Sequence, residues 1–535
     1  MKIRKALLLL LLTGSAIAAQ PLPAQVVFHV SLGQDSATSV SGRLLVFAKQ
    51  LGPADNRPVE AINMDQIDTH ATAIAAQEVA HLEPGATVAL DADVTAFPTP
   101  FSQLKPSHYA VQAVLDRDHS YNYTGRGPGD LVSGVVEMDL PGDAATHLLT
   151  LATSIPDADP LQPLPNVPAA LKEVYAAAKA DIHPFDFTSP ALSRFWGRPV
   201  ALRGWVLTPP DYAAHPRQRY PTVYYTQGFG GSLRSLHDIA VARWDDMKTG
   251  KAPPMIWVAL DQSTPTGTSE FVNSVNNGPW GQALTAELIP DLEGHYRMDA
   301  KASGRLLTGH SSGGWAVLWL QVTYPKLFGG TWPTSPDPSD FRDFLGINLY
   351  APNANVYRKP DGTAWPLARD KGEMLVALED FTRREVVIGE YGGQMASFEW
   401  VFSPRGAGGL PVPMFDRTTG AVDSAVIAYW KEHYDVAEHL RRHWPELRPD
   451  LDGKIHLTVG SADTFYLDGS AHLLEATMKE LGARTDFRYV EGRGHFDLYT
   501  VGDDRSGLYK AIASEMYALA RPGTNWRGVQ AHASP

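Results

Sequence analysis

Hydrophobic and polar residues alternate along the first part of the chain, beginning with Val26, Phe28 and Val30. The same alternation returns in three later runs, namely Leu44 and Val46; Tyr109, Val111, Ala113 and Leu115; and Val136, Met138 and Leu140. Turn residues such as Pro84-Gly85 separate these runs. The pattern predicts a β-sandwich of short antiparallel strands over residues 25–155. Its role is open between a carbohydrate- or substrate-binding module and a structural cap on the next domain.

The pattern changes after a segment rich in Pro and Asp. Residues 156–195 are predicted to be a linker that contains a short helix over Ala169–Ala180. Beyond it, short apolar runs suit buried parallel strands: Val200–Leu207, Val223–Thr226 and Met255–Leu260. Apolar residues at helical spacing follow, namely Leu284, Leu288, Leu292 and Tyr296, and later Leu508, Ile512, Met516 and Leu519. Strands that alternate with helices predict an α/β domain with a doubly wound, mostly parallel sheet over residues 196–525.

A long segment interrupts this second domain. Residues 350–447 are rich in aromatic side chains, among them Trp365, Phe398, Trp400 and Trp430. Such an insertion could form a lid or wall that shapes a substrate pocket, or it could be a packed helical extension. The sequence leaves both interpretations open.

The first residues resemble a targeting segment. Lys2, Arg4 and Lys5 precede the apolar run Leu7–Leu12, and Ala16-Ile17-Ala18 offers small residues of the kind found at cleavage sites. Residues 1–18 are therefore predicted to be a secretory signal peptide, and the mature protein is expected to be secreted or periplasmic in a bacterium. The alternative is an uncleaved anchor, but the apolar run is short for a membrane span, so no membrane anchor is expected.

Composition narrows the partners and the chemistry. The 535 residues carry a formal charge of −13, which disfavours nucleic acids and anionic membranes as partners. The chain has no cysteine, which excludes thiol nucleophiles, disulfides and Cys-based zinc sites. His439 and His443 have a spacing that can bind zinc, but a solvated helix face is the favoured interpretation. No phosphate loop or dinucleotide glycine pattern occurs, so neither a cofactor nor a metal is expected.

One glycine-rich string carries the chemistry. Gly309-His310-Ser311-Ser312-Gly313 follows a strand-like run and precedes a helix that begins near Trp315. The pattern Gly-x-Ser-x-Gly at a strand-to-helix turn is typical of a nucleophile elbow, where the turn is too tight for larger neighbours. Ser311 is therefore the predicted nucleophile.

A serine nucleophile needs a base, and the base needs an acid. His495 lies on a glycine-rich loop after the strand-like run Asp486–Val490, and it is the predicted general base. Asp463 follows an earlier strand-like run and is the predicted acid that orients the imidazole. Asp468 and Asp337 are rival acids.

Backbone N–H groups are expected to stabilise the oxyanion. Ser312, the residue after the nucleophile, should supply one donor. The second is predicted to be the Phe229 N–H, because the loop Gln227–Ser232 is rich in glycine and follows an early strand. Substrate contacts are expected from Gln227, Gly228, Trp280 and His310.

Taken with other segments, these residues resemble the Putative esterase family, which includes esterase D-like enzymes, feruloyl esterases, enterobactin esterases and mycolyltransferases. The similar segments are Leu207–Tyr212, Tyr220–Tyr224, Glu270–Ser274, Gly278–Gly281, Glu287–Pro290 and Tyr324–Gly329. The resemblance implies an α/β-hydrolase fold with Ser311, Asp463 and His495 as the triad, and Phe229 and Ser312 at the oxyanion hole. Gln227 stands where the family usually has a histidine.

The resemblance and the elbow together predict a serine esterase that hydrolyses a carboxylic ester through an acyl-enzyme. Its substrate would be a small-molecule or polysaccharide-linked ester, such as a feruloyl or acetyl ester of plant polysaccharide or an ester siderophore. Acyl transfer or peptide cleavage on the same fold, and a non-catalytic binding protein, are the alternatives.

Overall fold

The computed structural model describes residues 25–52, 59–65, 67–157, 159–162, 167–389, 391–524 and 526. The predicted signal peptide, residues 1–18, lies outside the described residues. Within these ranges, no helix combines the length and the apolar composition that crossing a membrane requires.

The described N-terminal part of the chain contains two sheets. Its strands are β1 (Val27–Leu32), β2 (Val40–Gln50), β3 (Ala73–Leu82), β4 (Thr87–Asp91), β5 (Ala96–Phe97), β6 (Ser107–Asp116), β7 (Leu131–Val132), β8 (Val136–Leu140), β9 (Leu148–Leu151) and β10 (Thr153–Ser154). One sheet has the order β4-β1-β9, and the other has the order β10-β7-β6-β2-β3-β5, with β8 also paired to β6. A short helix, α1 (Tyr121–Thr124), lies between β6 and β7.

Both sheets contribute to one hydrophobic core. Successive side chains of a strand point to opposite faces, so the alternating apolar residues gather on one side. Phe28 from β1 and Leu44 from β2 both belong to this core. The seven-stranded sheet also has an apolar opposite face, which includes Leu45 and Phe47. Residues that belong to neither sheet cover this second face.

The rest of the described chain is built on an eight-stranded sheet. The remaining strands are β11 (Ile182–Thr188), β12 (Ala201–Leu207), β13 (Thr222–Thr226), β14 (Ile256–Asp261), β15 (Ser263–Thr264), β16 (Gly267–Thr268), β17 (Asn273–Ser274), β18 (Gly278–Pro279), β19 (Arg305–His310), β20 (Gly330–Thr334), β21 (Pro366–Asp370), β22 (Glu373–Ala377), β23 (His456–Gly460) and β24 (Asp486–Val490). The sheet has the order β11-β12-β14-β13-β19-β20-β23-β24. β12 runs antiparallel to both neighbours, and the six strands from β14 to β24 are parallel. The predicted α/β-hydrolase fold is confirmed by this arrangement.

Helices connect these strands. They are α2 (Ala169–Ala178), α3 (Pro190–Trp196), α4 (Leu233–Lys248), α5 (Trp280–Gln282), α6 (Ile289–His295), α7 (Ser312–Thr323), α8 (Leu378–Ile388), α9 (Gln394–Phe402), α10 (Ser424–His433), α11 (Val436–Leu451), α12 (Leu467–Glu480) and α13 (Gly507–Ala520). A π-helix over Ala283–Leu288 joins α5 to α6. In a parallel sheet of this kind, side chains on the loops after the strands meet at the carboxyl edge.

The eight-stranded sheet begins earlier than the predicted boundary at residue 196. β11 lies inside the predicted linker of residues 156–195, where it pairs with β12 and forms one edge of the sheet. Its side chains alternate between more and less buried positions, and it contains Pro184, which an edge strand tolerates. Such a strand lacks the continuous apolar run of a central strand, so the hydrophobic pattern missed it.

The insertion, residues 350–447, packs against the helix that follows Ser311. It contains the hairpin β21–β22, α8, α9, α10 and the first part of α11. The ring of Trp315 in α7 lies 4.9 Å from Phe402, and Phe402 lies 5.3 Å from Trp430. The insertion and α7 thus belong to one hydrophobic core. These contacts agree with the interpretation as a packed extension, and residues of the insertion also line the cavity described below, which agrees with the interpretation as a wall.

Candidate active site

Ser311 lies at the turn between β19 and α7. Its φ of 58° and ψ of −127° put it in a strained region that residues with a side chain rarely adopt. The turn leaves no room for a Cβ at its neighbours: a Cβ on Gly309 would lie 2.2 Å from the Gly313 carbonyl oxygen, and a Cβ on Gly313 would lie 2.4 Å from that of Thr226. The predicted elbow therefore requires both glycines, and Ser311 stands at the N-terminal end of α7, where the helix dipole favours negative charge.

His495 and Asp463 meet at the carboxyl ends of β24 and β23. His495 Nδ1 lies 3.0 Å from Asp463 Oδ2, and the two side chains are 3% and 0% exposed. The Phe465 N–H donates to the other oxygen, Asp463 Oδ1, at 2.9 Å. Burial alone would raise the pKa of Asp463, but the hydrogen bond and electrostatic interaction with His495, together with the hydrogen bond from the Phe465 N–H, hold that pKa below its ordinary value. The carboxyl group is therefore suited to hold the imidazole in one orientation.

The rival carboxyl groups have other partners. Asp337 is buried behind the elbow, accepts a hydrogen bond from the Ser312 hydroxyl at 2.7 Å and also interacts with the Ser311 side chain. Burial raises the pKa of Asp337 to about 6, although the Ser312 hydroxyl opposes the shift. Asp468 accepts a hydrogen bond from the guanidinium group of Arg369 at 2.8 Å. Of the three candidates, Asp463 is the one in hydrogen-bond contact with His495.

The loop predicted to carry the oxyanion donor lies beside the nucleophile. A Cβ on Gly228 would lie 2.7 Å from Ser311 Cβ, so only glycine permits this approach. The side chain of Gln227 is turned toward its own loop: Nε2 donates to the Ser232 carbonyl at 3.0 Å, and Oε1 accepts from the Ser235 hydroxyl at 2.8 Å. Gln227, at the position where the family that the sequence resembles usually has a histidine, thus stabilises the loop.

His310 and Trp280, two predicted substrate contacts, have different locations. The His310 ring lies 4.3 Å from the His495 ring, and burial lowers the pKa of His310 to about 3, so its imidazole stays neutral. Trp280 does not reach the nucleophile. It lines a separate cavity of about 470 Å³ together with Trp196 and Trp400.

A cavity of about 730 Å³ brings most of the predicted residues together. Ser311, His310 and His495 line it, as does the loop Gln227–Gly231 with Phe229. Phe465 and Phe496 also line it, with ring centroids 4.9 Å and 5.3 Å from that of His495. Further wall residues come from the N-terminal sheets and from the insertion.

The histidine pair considered for zinc is part of α11. The rings of His439 and His443 are 4.9 Å apart, and His439 packs 5.5 Å from Trp319. Burial lowers the pKa of His439 to about 4. Among the residues that the structure describes, no cluster of three or more metal-ligating side chains includes this pair.

The family model described as Putative esterase matches residues 201–511, which is more than half of the 535 residues. The chain belongs to the Putative esterase family. The predicted membership of this family is confirmed by the match. The matched range contains β12 to β24, the elbow and both loops that carry Asp463 and His495.

Individual relatives share parts of this family domain. Esterase Rv1288 of Mycobacterium tuberculosis is 31% identical over 147 residues, which is 26% of this chain and 31% of that protein's length. A solved ferulic acid esterase has a TM-score of 0.37 at 13% identity and covers 64% of this chain and 97% of its own. The S-formylglutathione hydrolase of Agrobacterium tumefaciens has a TM-score of 0.34 at 14% identity, with coverage of 63% and 94%.

Several residues that line this cavity were not predicted from the sequence. Phe465 and Phe496 could have been noticed, since Phe465 follows Asp463 by two positions and Phe496 adjoins His495. Met64 and Tyr123 could not, because they lie far from the elbow in the chain and belong to no motif. Only the fold brings them to the cavity.

Proposed function

We propose that this chain is a serine esterase with Ser311 as nucleophile, His495 as general base and Asp463 as the carboxylate that orients the imidazole. The observation that carries the proposal is the 3.0 Å hydrogen bond between His495 and Asp463 at the cavity that the strained Ser311 lines. A nucleophile, a base and an orienting acid on three loops at one sheet edge suit acyl transfer to serine.

The reaction has two halves. His495 Nε2 takes the proton of Ser311 while Oγ bonds to the ester carbonyl carbon. The C–O bond to the alcohol then breaks, and the alcohol leaves with that proton. Water attacks the acyl-enzyme, gives its proton to His495, and the acid departs as the proton returns to Ser311. The N–H groups of Phe229 and Ser312 stabilise the oxyanion in both halves, and each such donor contributes about 3 kcal/mol.

The setting of the site is part of the proposal. The shared core of the two N-terminal sheets supports a β-sandwich domain over residues 25–155. The basic and apolar start of the chain supports a cleaved signal peptide over residues 1–18 and a secreted or periplasmic protein. Aromatic side chains in the cavity, among them Phe229, Phe381 and Phe496, favour an ester with an apolar group.

The experiment is covalent labelling of the folded protein by a fluorophosphonate probe, with the adduct mapped by mass spectrometry. We expect labelling at Ser311 that is lost on heat denaturation and in His495→Ala. His433→Ala, an exposed histidine of α10, is the matched control and should label like the wild type. A well-folded wild type that takes no label, or label on another serine, contradicts the proposal and favours a binding protein on this fold.

A further inference from the structure

Three large aromatic side chains take no part in the packing of the fold. Trp196 is the last residue of α3, Tyr391 lies between α8 and α9, and Trp400 lies in α9. None of the hydrophobic cores found in the described part of the chain includes any of them. All three line the cavity of about 470 Å³ that Trp280 also lines, called here the second cavity. Aromatic side chains that the fold does not use and that meet in one cavity are typical of a ligand site.

At least two of these aromatic side chains keep exposed surface. Tyr391 is 37% exposed, and Trp196 is half-buried. The guanidinium carbon of Arg198, which also lines the second cavity, lies 5.9 Å from the centroid of the Trp196 ring. The Tyr391 and Trp400 ring centroids are 6.4 Å apart. The second cavity thus has aromatic surface with a hydrogen-bond donor beside it. Trp280 differs from the three, since it belongs to a hydrophobic core.

The charged groups of the second cavity balance each other. The titratable side chains that line it are Asp118, His119, Arg198, Arg203 and Asp261. The charges of the two carboxylates and the two guanidinium groups cancel. Arg203 also donates from Nε to Asp186 at 2.9 Å, which lowers any excess of positive charge further. A phosphate group or a polyamine would gain little net attraction here, so the second cavity favours a neutral ligand.

These charged groups keep capacity for further hydrogen bonds. Asp261 Oδ1 accepts from the Ser263 N–H at 2.9 Å. Asp118 Oδ1 accepts from the Ser120 N–H at 3.1 Å. A carboxylate has two oxygens that together accept about four hydrogen bonds, and a guanidinium group has several N–H donors beyond Nε. The second cavity can therefore both donate to and accept from a ligand that carries many hydroxyl groups.

The second cavity has neighbours on two sides. A third cavity of about 400 Å³ is lined by Tyr391 and Trp400 as well, and it shares Glu385 with the active-site cavity. Elsewhere, the Ser263 hydroxyl of the second cavity donates at 2.9 Å to the carbonyl oxygen of Gly231, which lines the active-site cavity. The three cavities are therefore adjacent, which suits a ligand made of several linked units.

We propose that the second cavity is a binding site for a neutral oligosaccharide. The C–H groups of a sugar ring pack on aromatic side chains, and its hydroxyl groups donate to carboxylates and accept from guanidinium groups. The saccharide has two possible sources: the glycan that carries the ester bond, or a separate glycan that holds the protein near its substrate. Binding in the second cavity goes beyond the proposed function, and only the first source rests on it.

The first experiment measures binding by isothermal titration calorimetry. The probes are four neutral hexasaccharides, built from xylose, glucose, mannose or galactose, and an oligogalacturonate of the same length as the charged comparison. We expect saturable binding of a neutral probe that weakens about tenfold in Trp196→Ala, Arg198→Ala and Tyr391→Ala, the loss that aromatic and arginine anchors give. Arg194→Ala, on an exposed arginine of α3 outside the second cavity, is the matched control and should bind like the wild type.

Thermal unfolding checks that each variant is folded, and Trp196→Phe, which keeps an aromatic ring, should recover most of the affinity that Trp196→Ala loses. Three results overturn the proposal. They are no binding of any neutral probe to the wild type, unchanged affinity in the folded cavity variants, and tighter binding of the oligogalacturonate than of every neutral probe.

The second experiment separates the two sources of the saccharide. Steady-state hydrolysis of 4-nitrophenyl acetate and of the acetylated form of the best-bound hexasaccharide is compared in wild type and Arg198→Ala. If the glycan carries the ester bond, KM for the acetylated hexasaccharide rises about tenfold, while kcat and the hydrolysis of 4-nitrophenyl acetate stay unchanged. An unchanged KM together with weakened binding in calorimetry assigns the second cavity to a separate glycan. If the wild type hydrolyses neither ester, the proposed function fails, whereas calorimetry still decides whether the second cavity binds a saccharide.

Discussion

The two sides of the cavity are built by different physical means. The side at the sheet edge consists of tight turns, in which Gly228, Gly309 and Gly313 allow backbone contacts that a Cβ would block. The opposite wall is held by apolar packing of α8 on the N-terminal sheet. Tight turns fix atoms within tenths of an ångström, whereas a packed wall only fixes a volume. We therefore expect changes at the sheet edge to affect the rate of chemistry and changes in the wall to affect the choice of substrate.

The largest effect is expected from a substitution at the sheet edge, at the carboxyl group that contacts His495. Asp463→Asn should lower kcat by about 10⁴-fold, because the amide favours the wrong imidazole tautomer without moving the ring. The measurement is steady-state hydrolysis of a 4-nitrophenyl ester. Asp468→Asn is the matched control, since its carboxyl group pairs with Arg369, and we expect less than a tenfold change. Equal losses in the two variants would mean that His495 has another acid.

The next effect tests how closely the oxyanion loop must approach. Gly228→Ala would put a Cβ 2.7 Å from Ser311 Cβ and 3.3 Å from the His310 carbonyl oxygen. The loop has to move, and we expect a loss of about 10²-fold in kcat as the Phe229 donor loses its position. Gly294→Ala, where nothing lies within 4 Å of an added Cβ, should keep full activity. Wild-type kcat in Gly228→Ala would rule out this loop as the source of the donor.

A smaller effect concerns the carboxyl group behind the elbow. The folded protein keeps the proton of Asp337 up to about pH 6, whereas the unfolded chain releases it near 3.8, so the folded state binds more protons in this window. Stability must then fall as pH rises from about 4 to 6, by about 3 kcal/mol from this group. In Asp337→Asn this loss should be absent. Urea unfolding of the wild type and of Asp337→Asn at pH 4 and pH 7 measures this loss. A difference in unfolding free energy between the two proteins that does not change with pH would contradict the prediction.

The smallest effect tests the wall. Val387→Ala should lower the free energy of unfolding by about 2 kcal/mol, because two methyl groups leave a core shared by the insertion and the N-terminal sheet. Its neighbour Val386, which is 40% exposed, gives the matched control Val386→Ala with an expected change within about 0.5 kcal/mol. In calorimetry of Val387→Ala, the N-terminal sheets should unfold more independently of the rest of the chain. Equal stability of the two variants would mean that this contact contributes little.

Patterns of residues that are adjacent in the chain predicted the strand-turn-helix at Ser311. The strand before Ser311, the helix after it and the glycines between them are all adjacent in the chain, so a short string reports the turn they form. The order of Ser311, Asp463 and His495 is likewise a property of the chain alone. The hydrophobic runs found the central parallel strands for the same reason, since a strand buried on both faces is apolar throughout.

Other features depend on contacts that the chain order hides. The edge strand β11 has only one buried side, so its pattern resembles a linker. Trp280 belongs to the family-like segment Gly278–Gly281, yet in the fold it lines a second cavity. Met64 and Tyr123 line the cavity beside residues of α8, which packs on the N-terminal sheet. No spacing rule reports such long-range contacts.

α8 has a consequence for how such proteins could exchange parts. By chain order it belongs to the insertion, but it completes a hydrophobic face of the N-terminal sheet. A recombination event that replaced residues 25–155 alone would leave Val387 and Ile388 against a foreign surface. The unit that packs together is thus discontinuous, made of the N-terminal sheets and residues 378–388. A change of the N-terminal sheets would have to be matched by changes in a segment encoded far downstream.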